Sequence, residues 1–324
     1  MATLKDVARE SGVAASTVSR AFSHPERLNP ETVRRVRQVA EQLNYRVNPM
    51  AKALITGTSP VIGMCVNDLS MPFMAATIKG AQAEASERGL WLVIGDTDES
   101  PSHETEWAHT LSAMARGLIL VSPRASDEAL RVVADHSRVV LLQRPVSGVA
   151  SLRQDSRFAH TAILDRLVAD GHRHVAYLPG PEEGWVAVDR MRTFTEVCAA
   201  AGVQLTILPH TAISSPAAEA MTDFVLASGA TAVFCFTDVM AQGIVAGLQR
   251  RNLRPGHDLS VVGHDDSLQL FAGPTFTTTN DLASELGRRA VRRLLADGDL
   301  STTAEVLDSE PVFGETTGPV PTPA

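Results

Sequence analysis

Two groups of residues in this 324-residue sequence have types and spacing suited to chemistry. The first is Ala15-Ser16-Thr17-Val18-Ser19-Arg20, which puts hydroxyls and a guanidinium within six positions. Arg20 can donate a fork of two hydrogen bonds to a guanine edge, worth about 1–3 kcal/mol of discrimination, or pair with a phosphate. Ser16 suits a base edge or a phosphate, Thr17 a phosphate, and Ala15 a small apolar contact such as a thymine methyl. The second group is dispersed: Met71, Phe73, Asp155, Trp185, Arg190, Thr237 and Asp265 each stand a few residues beyond a short apolar run. Carboxylates accept from hydroxyls, one guanidinium donates in a fork, and an aromatic ring can lie on an apolar sugar face. Together they suit a small, hydroxyl-rich ligand. Each also has a plainer reading. Asp155 and Asp265 can cap helices, Arg190 can pair with Asp189, Trp185 and Phe73 can be packing, and Asp238 reads as a helix cap.

Other chemistries find no constellation. His172 and His174 have a spacing that could hold a metal, but no third ligand accompanies them. Cys65, Cys198 and Cys235 are far apart and odd in number, which argues against a disulfide framework or a thiolate zinc site. There is no phosphate-cradling G-x-x-x-x-G-K-[ST] loop and no nucleophile elbow. Catalysis, cofactors and metals are not expected. No apolar run reaches the ~18–20 residues of a membrane span, and the first residues lack a signal peptide's apolar stretch. A cytoplasmic protein follows.

The elements that must position the first group are helices. Thr3 can cap a helix with Leu4, Val7 and Ala8 on one face, and Gly12 can end it. Residues 15–22 read as a second helix, so the two with their tight turn make a helix-turn-helix pattern. A third helix starts with Asn29 as cap and Pro30 at its first position, burying Val33, Val36, Ala40 and Leu43. Asn48-Pro49 opens a fourth, of about seven residues, too short to hold alone. The second group needs a different scaffold. Apolar runs at 61–66, 90–94, 117–121, 139–142, 174–178, 205–208, 231–236 and 259–263 alternate with amphipathic helices. The helices fall near 73–88, 103–115, 126–136, 158–170, 187–201, 216–228, 238–251 and 283–296. Such alternation predicts an α/β fold: two Rossmann-like parallel-sheet lobes with a cleft at the strand C-termini.

Charge divides the chain at the same place. The formal net charge is −8. Residues 1–60 carry nine Lys+Arg against five acids, a net +4, and the remainder carries 20 against 32, a net −12. A basic head on an acidic body is the footprint of a nucleic-acid-binding module fused to something else.

The runs L-K-D-V-A-x-x-S-G-V-A-x-S-T-V-S-R at 4–20, L-N-P-E-T-x-x-R-V at 28–36, L-N-Y at 43–45 and N-P-x-A-x-A-L at 48–54 closely resemble the headpiece of LacI/GalR-family repressors. That resemblance implies a homodimer on a pseudo-palindromic operator, with recognition helices in major grooves and hinge helices in the minor groove. It assigns DNA contacts to Ala15, Ser16, Thr17, Arg20, Asn29 and Lys52, and makes Leu54 a wedge that unstacks a base step. Ala14 departs from the family, which usually has a hydroxyl residue there to cap the recognition helix; the loss is worth about 1 kcal/mol. R-G-L-I-L-V at 116–121, G-H-R-x-V at 171–175, P-G-P at 179–181, T-A-V-F-C at 231–235 and D-L-S-V-V-G-H-D at 258–265 resemble the family's periplasmic-binding-protein-like effector domain. By that likeness Asp155, Arg190, Thr237 and Asp265 fall on effector-contacting positions. Thr193 and Asn280-Asp281 depart from the family's usual R-x-x-G-F and T-T-x-x-Q-P.

The expected organisation is a headpiece at 1–47, a hinge and linker at 48–60, a two-lobe domain at 61–315 and a disordered tail at 316–324. The first lobe would take about 61–157 plus 282–307, the second about 158–281 plus 308–315. No leucine heptad follows residue 315, so dimerisation would use faces of the body. A ligand-controlled repressor accounts for both parts of the chain; an activator, or a nucleoside or sugar-phosphate effector, fits the same architecture. A sugar-binding protein without DNA function explains the body but not the head, and an enzyme lacks its catalytic residues.

Overall fold

The structure, a computed structural model, describes residues 2–46, 58–268, 273–298, 300 and 304–320. It divides into two compact units, residues 1–60 and 61–324.

In the smaller unit, α1 (Leu4–Ser11) starts on a capping box. Thr3 Oγ1 accepts from the Asp6 amide, and the Asp6 carboxylate accepts from the Thr3 amide at 2.9 Å. Gly12 closes the helix at φ 65°, a left-handed conformation that costs glycine little. The turn it makes leads into α2 (Ala15–Ser23), a 3-10 turn at Pro25–Arg27, and α3 (Pro30–Gln42). Asn29 Oδ1 accepts from the Glu31 amide at 2.8 Å to begin α3. Val7, Val18, Ala21, Val36 and Ala40 meet at the centre, with Leu4, Phe22, Leu28 and Tyr45 around them. Because α2 spends Val18 and Ala21 on this core, its Ala15, Ser16 and Arg20 are left exposed.

The larger unit has two parallel sheets. The first contains β1 (Val61–Val66), β2 (Trp91–Asp96), β3 (Leu118–Val121), β4 (Val139–Leu142), β5 (Ala150–Asp155) and β11 (Ala304–Asp308), in the order β11-β5-β4-β3-β1-β2. It is flanked by α4 (Pro72–Glu87), α5 (Pro101–Ser112), α6 (Asp127–His136) and α12 (Ala283–Leu295). Alternate residues of β3 serve opposite faces: Ile119 and Val121 pack with α4 and α12, Leu118 and Leu120 with α5 and α6. The second sheet orders β6 (His174–Leu178), β7 (Gln204–Ile207), β8 (Ala232–Cys235) and β9 (Ser260–Val262) as β7-β6-β8-β9. Val175, Tyr177 and Phe234 face α7 (Arg157–Ala169) and α8 (Trp185–Ala201). Ala176, Leu178 and Val233 face α9 (Ser215–Ala220), α10 (Thr222–Ala227) and α11 (Asp238–Arg250).

The chain leaves the first lobe between β5 and α7. It returns after β10 (Thr278–Thr279) into α12, then passes from β11 to β12 (Pro311–Val312), which pairs antiparallel with β10. Two features differ from the sequence reading. Residues 150–155 and 304–308 are strands; their alternating polar residues (Ser151, Arg153, Glu305) hide the apolar run that marks the others. The segment expected to be a loose tail from 316 is fixed through 320. The Val261 amide donates to Thr316 O at 2.8 Å, Val320 N to Asp170 O at 3.0 Å, and Thr316 is fully buried. Composition suggests disorder, but a backbone bond to β9 and another to the end of α7 hold this strip in place.

Candidate functional site

Between the lobes, beyond the C-terminal ends of the strands, lies a cleft of about 850 Å³ including its open mouth. Its walls come from loops that follow strands and from the first turns of the helices Pro72–Glu87 and Trp185–Ala201. Glu99, Ser122, Gln143 and Asp265, all lining it, adopt φ of 56°, 49°, 59° and 87°. Non-glycine residues pay of order 1 kcal/mol or more for such conformations, and they concentrate where a fold aims side chains at a ligand.

Arg190, on α8, is buried at the cleft floor. Its guanidinium lies 4.6 Å over the Phe236 ring, Nη1 donates to the Phe236 carbonyl, and Nη2 is 3.7 Å from Asp265 Oδ1. Gln154 Nε2 donates to the same carboxylate oxygen at 3.0 Å and lies 3.0 Å from His264 Nε2. His264 Nε2 is also 3.2 Å from Asp265 Oδ1, so amide, imidazole and carboxylate form one tight buried cluster. Burial and the neighbouring Arg190 charge push the His264 pKa well below its usual value, consistent with a neutral ring. Burial leaves the Asp265 carboxyl raised above its ordinary value, although Arg190 and Gln154 pull against the rise. The Gln154 backbone N–H also donates to Gln143 Oε1 at 2.9 Å. Gln154 and Gln143 belong to the first lobe and the others to the second, so this buried network joins the two lobes.

The other guanidiniums of the cleft are likewise paired with acids. Arg124 Nη2 lies 3.1 Å from Glu99 Oε1, and Arg144 Nη2 lies 2.8 Å from Asp127 Oδ1. The buried Glu104 carboxylate accepts from the Arg124 and Ala125 amides at 2.7 and 3.3 Å, anchoring the loop after β3. Thr237 Oγ1 caps α11 by accepting from the Met240 amide at 3.4 Å. Asp238 is therefore not the cap expected of it. It is buried behind the cleft, where it accepts from the Ser267 amide at 2.7 Å and the Thr278 hydroxyl at 2.8 Å. Burial pushes its pKa up to about 7, with Asp265 and Asp266 adding to the rise against those two hydrogen bonds.

Of the residues singled out in the sequence, Met71, Phe73, Trp185, Arg190, Thr237 and Asp265 all line this one cleft. Asp155 does not. Its carboxylate accepts from the Arg157 amide at 2.9 Å and pairs with Arg153 at 3.3 Å, serving the start of α7. Arg124, Glu99, Gln143 and Arg144 line the cleft as well without belonging to any motif; of the lining residues Ser122 and Gln143 stand directly after β3 and β4, where the strand-end rule points. In the small unit Ala15, Ser16 and Arg20 are exposed, Thr17 is half-buried, and exposed Asn29 holds the start of α3. Ala14 makes no side-chain cap to α2. Lys52, Leu54 and the hinge helix lie outside the described residues. Among the described residues no group of three metal-ligating side chains occurs. His172 bonds instead to Thr231 Oγ1 at 2.7 Å and to the Gly318 carbonyl at 2.9 Å. The cysteines are buried and unpaired, with the Cys65 and Cys198 thiols pushed up to about 12 by burial.

A two-lobed cleft domain on the same chain as a helix-turn-helix unit defines a ligand-responsive DNA-binding regulator. Comparison with known proteins agrees in both parts. Residues 3–48 match the bacterial regulatory proteins of the lacI family, and residues 164–317 match the periplasmic binding protein-like domain. The chain thus resembles LacI-family repressors in both its head and its body. The HTH-type transcriptional repressor CytR of Escherichia coli (strain K12) is 27% identical over 312 residues, covering 91% of this chain and 89% of that one. The ribose operon repressor of Bacillus subtilis (strain 168) is 27% identical over 317 residues, covering 96% of each. These relatives are repressors rather than enzymes. The lac repressor dimer bound to operator and the anti-inducer ONPF superposes with a TM-score of 0.87 at 26% identity, covering 98% of this chain and 99% of that one. Among the described residues no helix is long and apolar enough to cross a membrane.

Proposed function

We propose that this chain is a cytoplasmic transcriptional repressor that binds a pseudo-palindromic operator as a homodimer and is controlled by a small, uncharged, hydroxyl-rich effector such as a sugar. One observation carries the effector class: each guanidinium lining the cleft already has a carboxylate partner, Arg124 with Glu99, Arg144 with Asp127 and Arg190 with Asp265. A phosphate would have to displace one of these acids, whereas hydroxyls can accept from the guanidiniums and donate to the carboxylates without disturbing the charge balance. A nucleoside is the second reading. Phe73, Trp185, Ile213, Phe236 and Val239 offer more apolar lining than a single sugar ring covers, enough for a flat base beside it.

In the mechanism, Arg20, Ser16, Thr17 and Ala15 meet base edges and phosphates, Asn29 and Lys52 contact the backbone, and Leu54 wedges into a base step. The effector binds both lobes, and the lobe arrangement it prefers sets the separation of the two hinge segments. Operator affinity then changes through differential binding to two states. The test pairs a gel shift on the DNA upstream of the chain's own gene with a thermal-shift screen of sugars, sugar phosphates and nucleosides. A sugar that both raises the melting temperature and alters the shift supports the proposal. Stabilisation by phosphates alone would overturn the effector class, and failure to retard any upstream fragment would overturn the repressor reading.

A further inference from the structure

Arg124 belongs to the first lobe, on the loop after β3, yet its side chain reaches across the cleft. Nη2 lies 3.1 Å from Glu99 on its own side, while Nη1 donates to the backbone carbonyl of Glu183 in the second lobe. The seat it occupies there is shaped for it. Gly184, at φ 109°, has no Cβ; one built at that position would fall 2.1 Å from Arg124 Nη1. A side chain at that position would push the tip of Arg124 aside, and glycine takes that φ without strain. Gly184 is also the residue from which α8 starts, so the arginine grips the end of the helix that carries Trp185 and Arg190 into the cleft. The grip is held from behind as well, since buried Glu104 accepts from the Arg124 and Ala125 amides and fixes the loop. The side chain is only 14% exposed although it stands at the rim.

We propose that Arg124 is the gate of the cleft: its bridge from Glu99 to the Glu183 carbonyl holds the two rims together and narrows the mouth, and the cleft opens fully to a solute when that bridge breaks. This rests on the cleft being the effector site, and it makes Arg124 a determinant of what size of solute is admitted and how fast. Glu99 keeps the guanidinium near the mouth in both positions, so opening costs one charge-assisted hydrogen bond rather than an unpaired charge. A ligand hydroxyl that accepts from the same Nη1 would replace the Glu183 carbonyl and hold the gate from inside.

The experiment uses Trp185 as its reporter and acrylamide, a small neutral quencher, as the probe. In the full chain carrying Trp91→Phe and Trp107→Phe, Trp185 is the remaining tryptophan. Its quenching constant should rise about tenfold or more in Arg124→Ala, the least factor that a hydrogen bond to a charged group represents. Arg124→Lys, which keeps the charge beside Glu99 but not the fork, should fall between. Gly184→Ala removes the seat from the other lobe and should open the cleft by itself. Quenching equal to the parent's in a folded Arg124→Ala chain overturns the gate. If that variant fails to fold, an unchanged constant in Gly184→Ala overturns it instead. Loss of operator binding by the parent chain would sink the repressor reading without touching this result, because quenching reads the cleft alone.

Discussion

Arg190 shows how much can rest on one side chain. Its guanidinium lies on Phe236, bonds to the Phe236 carbonyl and stands 3.7 Å from Asp265. Removing it takes away a donor fork from the cleft and leaves the Asp265 carboxylate beside Gln154 and His264. Arg190→Ala should weaken effector binding by tenfold or more while leaving operator affinity intact. Calorimetric titration with the effector from the screen checks this, and a normal titration would refute it. Asp238 makes a pH prediction. Its folded pKa, near 7, lies above the ordinary value of 3.8. A group raised on folding contributes stability that is full below its unfolded pKa and is lost as pH climbs through the folded one. Asp238→Asn, which can accept from the Ser267 amide and donate to Thr278, should gain melting temperature over the parent progressively between pH 4 and 8. A constant difference across that range would contradict the assignment.

Among the elements, the crossing of α4 and α12 depends on two glycines. A Cβ on Gly80 would stand 1.9 Å from the Ser284 carbonyl oxygen, and one on Gly287 would stand 2.1 Å from that of Thr77. Backbone meets backbone there, with no flexible side chain to yield. Gly287→Ala should force the helices apart and cost about 1–3 kcal/mol, read as a lowered urea midpoint. The same crossing buries Glu84, whose carboxylate is held ionised chiefly by Arg292, with Arg88 assisting. None of this is visible as a motif, because Gly80 and Gly287 are over 200 positions apart. The helices themselves were legible: Thr3 and Asp6, Asn29 and Pro30, and Gly12 are local signals that act within one turn. Strands β5 and β11 were not. Their neighbours in the sheet, rather than their own composition, decide that Ser151 and Gln154 are buried.

For the whole molecule, the charge division has a measurable consequence. A chain of net charge −8 would be expected to avoid DNA, yet its first 60 residues carry +4. Operator binding should therefore fall steeply with salt, by roughly 10³-fold between 50 and 200 mM for a dimer that neutralises about six phosphates. Anisotropy titrations across that range test it, and a flat response would refute phosphate-driven binding by the head.

Whatever acts over short range was legible in the chain itself. Caps and periodicity set the helices, apolar runs set most strands, and charge and motif set the division of the chain and the residues that line the cleft from strand ends: Met71, Phe73, Trp185, Arg190, Thr237 and Asp265. Tertiary structure alone decided which of these candidates meet and what holds them. It turned Asp155 toward α7, buried Asp238 against Thr278, fixed residues 316–320 beside β9, and carried Arg124 across to the Glu183 carbonyl. The reason is physical. A carboxylate or guanidinium has the same chemistry wherever it sits, but burial and the partner opposite it decide its charge and its bonds, and those are brought near only when distant segments pack.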